Sequence, residues 1–391
     1  MCIRDRSDNG FRTCSYLTST RVTIAAKPAP EEALRSGLKE PPLRRITRIT
    51  TVGIASAALA LSVTACGGKS SSDAGSGKDG DKAAIAYDIG GRGDQSFNDA
   101  AYAGLAKAEK DLGIKGSEAE PSDGEGDADK VQRLTELARA GNNPVIGVGF
   151  AYAPAIKKVA PKFPKTTFGI IDDASVTGDN IANIVFNEEQ GSYLAGVAAA
   201  KVTKTKTIGF IGGVETPLIK KFEAGFVQGA KDTDPSVKVL PQYLTQPPNF
   251  DGFSKPDLGK AAAQGQLDKK ADVIYSAAGL AGSGAIEAAS KAGKWNIGVD
   301  SDQYQQKGLA AYKESILTSV TKDVEDSVFN LIKSVKDGKP TTGEIRYGLD
   351  KDGVGLSMSN PAFAKMTDVI SAVDKAKQEI IDGKITVKTA P

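Results

Sequence analysis

The 391 residues are 40% hydrophobic and 25% charged, a mix that suits a globular chain with one large or two medium cores and excludes global disorder. Residues 1–65 hold ten of the 50 Lys and Arg and five of the 48 Asp and Glu, leaving 40 basic against 43 acidic residues beyond them and no basic stripe for nucleic acid. Histidine is absent and the cysteines are only Cys2, Cys14 and Cys66, which excludes Ser-His-Asp and Cys-His catalysis, a zinc cluster and a disulfide framework.

In chain order, residues 1–43 fit no plan and read as a misassigned or non-native leader, with translation expected to begin near Leu43. Residues 44–65 run from the basic cluster Arg44, Arg45 and Arg48 into a short apolar stretch, as an export signal does. That stretch is diluted by Thr, Ser and Gly, which favours a signal over a permanent membrane span. The site "VTAC" resembles a bacterial lipobox, so Cys66 is the expected lipidation site, with Val63 where leucine is usual. Residues 66–82 follow as a Gly/Ser/Asp/Lys-rich tether. A flexible coil of that length spans roughly 20 Å.

From residue 83 onward, β-branched runs alternate with helical stretches, the pattern of an α/β fold with parallel sheets. Strands are expected at 83–89, 144–149, 166–172, 180–186, 206–212, 237–244, 271–277, 295–300 and 315–320. The stretch 96–113 places Phe97, Ala101, Leu105, Ala108 and Leu112 on one helical face, and Ser96 with Asp99 suits a capping box. Nine strands at this spacing, with a change of character inside 181–203, point to two similar lobes. The tail 361–391 reads as a closing helix packed on a lobe.

Ligands of open α/β sheets sit beyond the carboxyl ends of the strands. After the first expected strand come Asp88, Gly90, Gly91, Asp94, Ser96, Phe97 and Asn98; "GGRGDQSFN" lacks a phosphate-loop lysine and carries two acids, so it suits a neutral polar ligand. The embedded Arg-Gly-Asp triplet is too short to carry weight. Later strand ends bring Phe150 and Tyr152, then Asp172 and Asp173, Phe222 and Phe226, the "AAGLAGSG" loop with Gly279, Asp300 and Asp302, and Lys322 opening a helix. Taken one at a time, these residues more often serve as turns, caps, core and solvated charge; their recurrence at strand ends makes them a set. Carboxylates that accept from vicinal hydroxyls, with aromatics sandwiching a flat ring, describe a sugar or nucleoside pocket. Asp88, Asp300 and Asp302 around a divalent metal in a hydrolase are the alternative. Binding is preferred because no nucleophile and base can be paired.

The ordered motifs "DIGGRGDQSFNDAAYAGL", "NIVFNEEQGSYLAGVAAA", "GFIGGVETPLIKKFEAGFVQGAK", "DVIYSAAGLAGSGAIEAA" and "IGVDSDQ" resemble the basic membrane protein (BMP) family, the PnrA-like or Med-like substrate-binding lipoproteins of ABC transporters. The resemblance covers about residues 83–360. It implies a type I periplasmic-binding-protein fold, two doubly wound parallel-sheet lobes joined by a three-crossing hinge. The first lobe is expected at 83–187 plus about 301–321 and the second at 188–300 plus about 322–391. It further implies a lipid-anchored, extracytoplasmic, non-enzymatic and monomeric binder of a nucleoside, of the purine type, that needs no cofactor and works with a permease and an ATPase.

By the same resemblance, Phe97 and Phe222 stack on the base, Asn98 hydrogen-bonds it, Asp88 lies at the cleft, Gly279 sits on the ribose loop, and Asp300 and Lys322 hold ribose hydroxyls. Pro154 in "GFAYAPA" stands where purine binders tend to carry a base-reading aspartate. Ser96, Phe150, Tyr152 and Asp172 complete the candidate set from their strand-end positions. Two further readings are a sugar or other polar-solute binder or sensor of the same fold, and a secreted nucleoside hydrolase. A repressor is disfavoured, because a signal and tether stand where a DNA-binding helix pair would be.

Overall fold

The computed structural model describes residues 81–391. The leader, the signal segment, Cys66 and all but the last two residues of the expected tether lie outside the described residues. The first half of the body runs β1 (Lys82–Ala86), α1 (Phe97–Leu112), β2 (Lys115–Ala119), α2 (Asp127–Arg139), β3 (Val145–Gly147), α3 (Ala153–Val159), β4 (Phe168–Ile171) and β5 (Ile181–Phe186). It continues with α4 (Glu188–Val202), β6 (Thr207–Val214), α5 (Pro217–Thr233), β7 (Lys238–Thr245), α6 (Pro256–Asp268), β8 (Val273–Ala277), α7 (Ala281–Lys291) and β9 (Trp295–Asp300). The last part holds β10 (Ile316–Lys322), α8 (Val324–Lys336), β11 (Gly343–Tyr347), β12 (Val354–Leu356), α9 (Pro361–Ala364) and α10 (Thr367–Ile381).

These strands form two six-stranded sheets, ordered β11-β5-β4-β3-β1-β2 and β12-β10-β9-β8-β6-β7. All pairings are parallel except that of the edge strand β12 with β10. Central strands such as "FGII" and "IANIVF" are buried along their whole length, as expected where helices cover both faces of a sheet. The chain passes between the sheets after β5, after β10 and after β11, giving three crossings.

The expected lobe boundaries need correction. Strand β10 pairs with β9, so residues 316–322 belong to the second sheet, and the chain leaves it only after Lys322. Helix α8 then packs on α1, and β11 pairs with β5, so a stretch expected in the second lobe lies in the first. The return comes one strand later than expected because "ILTSVTK" is a buried central strand that completes the second sheet. Strands β2, β11 and β12 were not anticipated; β2 and β11 are edges with no buried residue and β12 is three residues long, so none needs a long apolar run.

The change of character inside 181–203 is the first crossing, from β5 into a helix buried on nearly every side. Helices α10 and α5 pack on α4, so the C-terminal tail closes over the second lobe. The α4–α5 contact is close: a Cβ at Gly225 would stand 2.0 Å from the backbone oxygen of Glu189. Since α5 carries Phe222, that spacing also sets where the ring lies. Gly225→Ala is therefore expected to destabilise the fold by about 2 kcal/mol through overpacking, read as a lower urea midpoint. A midpoint equal to that of the unaltered chain would show that the helices separate freely.

Candidate functional site

The carboxyl ends of both sheets face one narrow interlobe cavity with about 60 Å³ of free space. Of the expected residues, Asp88, Phe97, Asn98, Phe150, Asp172, Phe222, Gly279, Asp300 and Lys322 line it. Ser96 and Tyr152 do not, and both have other work.

The segment before α1 is built around Asp94. Its carboxylate accepts from the backbone N–H of Ser96 (2.9 Å), Asn98 (2.8 Å) and Asp99 (3.1 Å), satisfying the exposed amides of the helix start. The expected Ser96–Asp99 capping box is thus replaced: Ser96 makes no side-chain cap bond, and Asp99 accepts instead from the N–H groups of Gly93 and Gln95. Freed from capping, the Ser96 hydroxyl donates across the lobes to Asp300 Oδ2 at 2.6 Å. Asn98 accepts from the N–H of Asp88 (3.0 Å) and donates to Asp94 (3.1 Å), so its amide is oriented from both ends. The Arg-Gly-Asp triplet is consumed internally, with Arg92 over the Tyr102 ring at 3.4 Å and bonded to Asp99 and Glu118.

Tyr152 is fully buried, its ring against Gly147; its hydroxyl donates to the Tyr87 carbonyl (2.9 Å) and accepts from Arg133 (2.8 Å). It supports the strand ends from behind. Pro154 is exposed in the first turn of α3 and is not part of the cavity wall.

The charged end of the cavity centres on Lys322, the last residue of β10 rather than a helix opener. Its buried ammonium donates to Asp172 Oδ2 of the other lobe at 2.6 Å and stands 3.8 Å from Asp300 Oδ1. The rings of Phe97, Phe186 and Phe222 lie 4.5, 5.2 and 5.9 Å away, within cation–π reach. Burial alone would push the lysine pKa down, but Asp172, Asp300 and Glu188 override it and hold the ammonium charged above its usual range. Burial raises the Asp300 pKa, against the opposing pull of Lys322 and Ser96. Asp172 and Asp300 hold left-handed backbone, φ 67° and 62°, a conformation non-glycine residues seldom adopt. Oδ1 of Asp172 is buried with no partner among the described residues.

At the opposite end, Asp88 Oδ1 accepts only from the N–H of Ile89, and burial pushes its pKa up to about 7. Leu218, Ile219, Phe253 and Val299 add apolar wall that the sequence reading missed. Phe253 follows the strand at 238–245, and inspecting that strand end as the others were inspected would have found it. The metal alternative at Asp88, Asp300 and Asp302 finds no support: no acidic or sulfur cluster fit for an ion occurs among the described residues. Asp302 instead accepts from Gln305 and Ser359.

Two consequences can be measured. Between about pH 4 and pH 7 Asp88 keeps its proton folded but loses it unfolded, so the stability it contributes is full below about pH 4 and lost as pH rises through about 7. Asp88→Asn should flatten that fall in the urea midpoint, and an unchanged pH profile would refute the assignment. Lys322→Met leaves Asp172 and Asp300 facing each other without a cation and is expected to cost about 3–5 kcal/mol in urea unfolding. A cost under about 1 kcal/mol would mean that the ammonium is effectively solvated.

The family described as ABC transporter substrate-binding protein PnrA-like matches residues 82–390. A CD4+ T-cell-stimulating antigen of Listeria innocua is 37% identical over 84% of this chain and 94% of its own length. The ABC transporter nucleoside-binding protein BmpA of Lactococcus lactis is 36% identical over 78% of this chain and 88% of its own. Basic membrane protein A of Borreliella afzelii is 33% identical over 75% and 87%. Among solved structures, an ABC transporter solute-binding protein from Aeropyrum pernix superposes with TM-score 0.70 at 26% identity, covering 79% of this chain and 93% of its own.

Proposed function

The chain belongs to the PnrA-like family of ABC transporter substrate-binding proteins, and from that membership and the cleft we propose that it captures a nucleoside, of the purine type, and delivers it to a membrane permease. The observation that carries the reading is the presence, in one cavity, of two rings, Phe97 from one lobe and Phe222 from the other, with a charged end made of Asp172, Asp300 and Lys322. Flat apolar rings suit a heterocycle, and carboxylates beside an ammonium suit vicinal hydroxyls. That a similar protein of Lactococcus lactis is named as nucleoside-binding supports the same reading.

Ligand contacts on both lobes would favour the closed form, and the permease would read that form. Phe97 and Phe222 stack on the base, Asn98 and Asp88 meet its polar edge, Gly279 flanks the sugar, and Asp300, Lys322 and Asp172 hold the hydroxyls. Phe150 closes the base end. Lipid attachment at Cys66 would keep the protein on the outer face of the cell membrane, next to its permease and ATPase. Names of relatives as lipoproteins support that placement, and among the described residues no helix is long and apolar enough to cross a membrane.

Thermal-shift screening against nucleosides, free bases and simple sugars tests the ligand class, because a ligand held only by the folded state raises the melting temperature. Purine nucleosides are expected to raise it and free sugars to leave it unchanged. A response to sugars alone would keep the binder and discard the stacking roles of Phe97 and Phe222. Asp300→Ala is expected to weaken nucleoside binding roughly 100-fold or more while the fold survives. Unchanged affinity in titration calorimetry would remove the ribose role.

A further inference from the structure

On the side away from the crossings an aromatic contact joins the lobes at the edge of the cavity. Phe150 stands just past β3 in the first lobe and Phe250 just past β7 in the second, with ring centroids 6.2 Å apart and planes tilted by 51°. Among the described residues, the other ring pairs join residues of a single lobe. Phe150 lines the ligand cavity; Phe250 does not. Phe250 lines a second, wider interlobe cavity, with Glu120 and Ser122 on one side and Asn249 and Asp251 on the other. Ile89 borders both cavities, so the ring pair and Ile89 lie on the boundary between them.

Phe250 is held firmly where it is. The Thr245 hydroxyl donates to the Asn249 carbonyl at 2.7 Å, and the Asn249 side chain accepts from the N–H of Asp251 at 2.8 Å. Gly252 lies so close to Gly213 of β6 that a Cβ there would meet the Gly213 oxygen at 2.0 Å. The Phe250 ring therefore sits on a loop pinned at both ends to the second sheet, offering an apolar face to the first lobe.

We propose that Phe250 is a clasp residue: by pairing with Phe150 across the lobes it holds the outer end of the cleft shut and retains the bound solute without touching it. Retention rests on the solute-capture reading but not on which solute is captured. An aromatic contact that holds the lobes together has to break before the solute can leave, so its loss speeds escape most.

The test uses the full chain with inosine as probe and stopped-flow kinetics. Phe250→Ala is expected to raise koff about three- to tenfold with a smaller rise in kon, and Phe250→Tyr to restore the slower release. The urea midpoint of the free protein should fall only slightly, by less than for Gly225→Ala, which separates a clasp from a folding role. An unchanged koff, or equal changes in kon and koff, would overturn the proposal.

A readout without ligand uses spin labels at Lys157→Cys and Lys269→Cys, both exposed and on different lobes, with Cys2, Cys14 and Cys66 replaced by serine. Phe250→Ala should lengthen the label distances in the free protein, and an unchanged distribution would overturn the clasp. Failure of the unaltered chain to bind inosine would instead remove the nucleoside reading and leave the label experiment to decide the clasp.

Discussion

A buried ammonium needs counter-charge, and much of this molecule can be read as the means of supplying it to Lys322. The residue ends a central strand of the second sheet, and its shortest ion pair is with Asp172, at the end of a central strand of the first. Asp300 supplies the second carboxylate from the neighbouring strand, and its own other oxygen is held by Ser96 of the first lobe. Breaking such a group costs far more than an exposed pair, because the partner left behind stays buried. The two sheets are therefore tied together at the crossing side before any solute is present.

That tie gives the cleft a direction. Away from the crossings, the first sheet presents Asp172, Phe150 and Asp88 in the order of its strands, and the second presents Lys322, Asp300, Gly279, Phe222 and Phe253. The ion-paired acids and Lys322 thus stand at the crossing side, and Asp88 with the aliphatic and aromatic wall of Phe150 and Phe253 stands away from it. The polarity follows from topology: both sheets grow outward from the crossing strands, so equivalent strand ends face each other across the cavity.

The sequence made the strand-end constellation legible because parallel strands are fully apolar and stop at polar, glycine-rich turns, and nine of the eleven residues chosen that way line the cavity. What it hid depended on partners distant in the chain. Ser96 looked like a helix cap because Asp99 follows three residues later; the cap is Asp94, and Ser96 is drawn to Asp300, 204 residues away. Tyr152 follows the cavity residue Phe150, but the tight turn between them sends its ring under the sheet. Strand β11, with no buried residue, left little apolar signal, and β10, although expected as a strand, was given to the first lobe instead of the second, so the second and third crossings were misplaced even though their number was right.

The site is better suited to holding than to reacting. Its carboxylates are already engaged: Asp172 by Lys322, Asp300 by Ser96, and Asp88 by the Ile89 amide. Yet acceptor capacity remains, since Oδ1 of Asp172 and Oε1 of Glu188 are buried with no partner among the described residues. A buried acceptor left unpaired costs about 1–3 kcal/mol. A solute that brings hydroxyl donors to Asp172 relieves part of that cost while contacting both lobes. In the proposed reading, affinity and closure then share one origin: the free protein carries an acceptor excess at the joint between its lobes, and a donor-rich ligand removes it only when the cleft is shut.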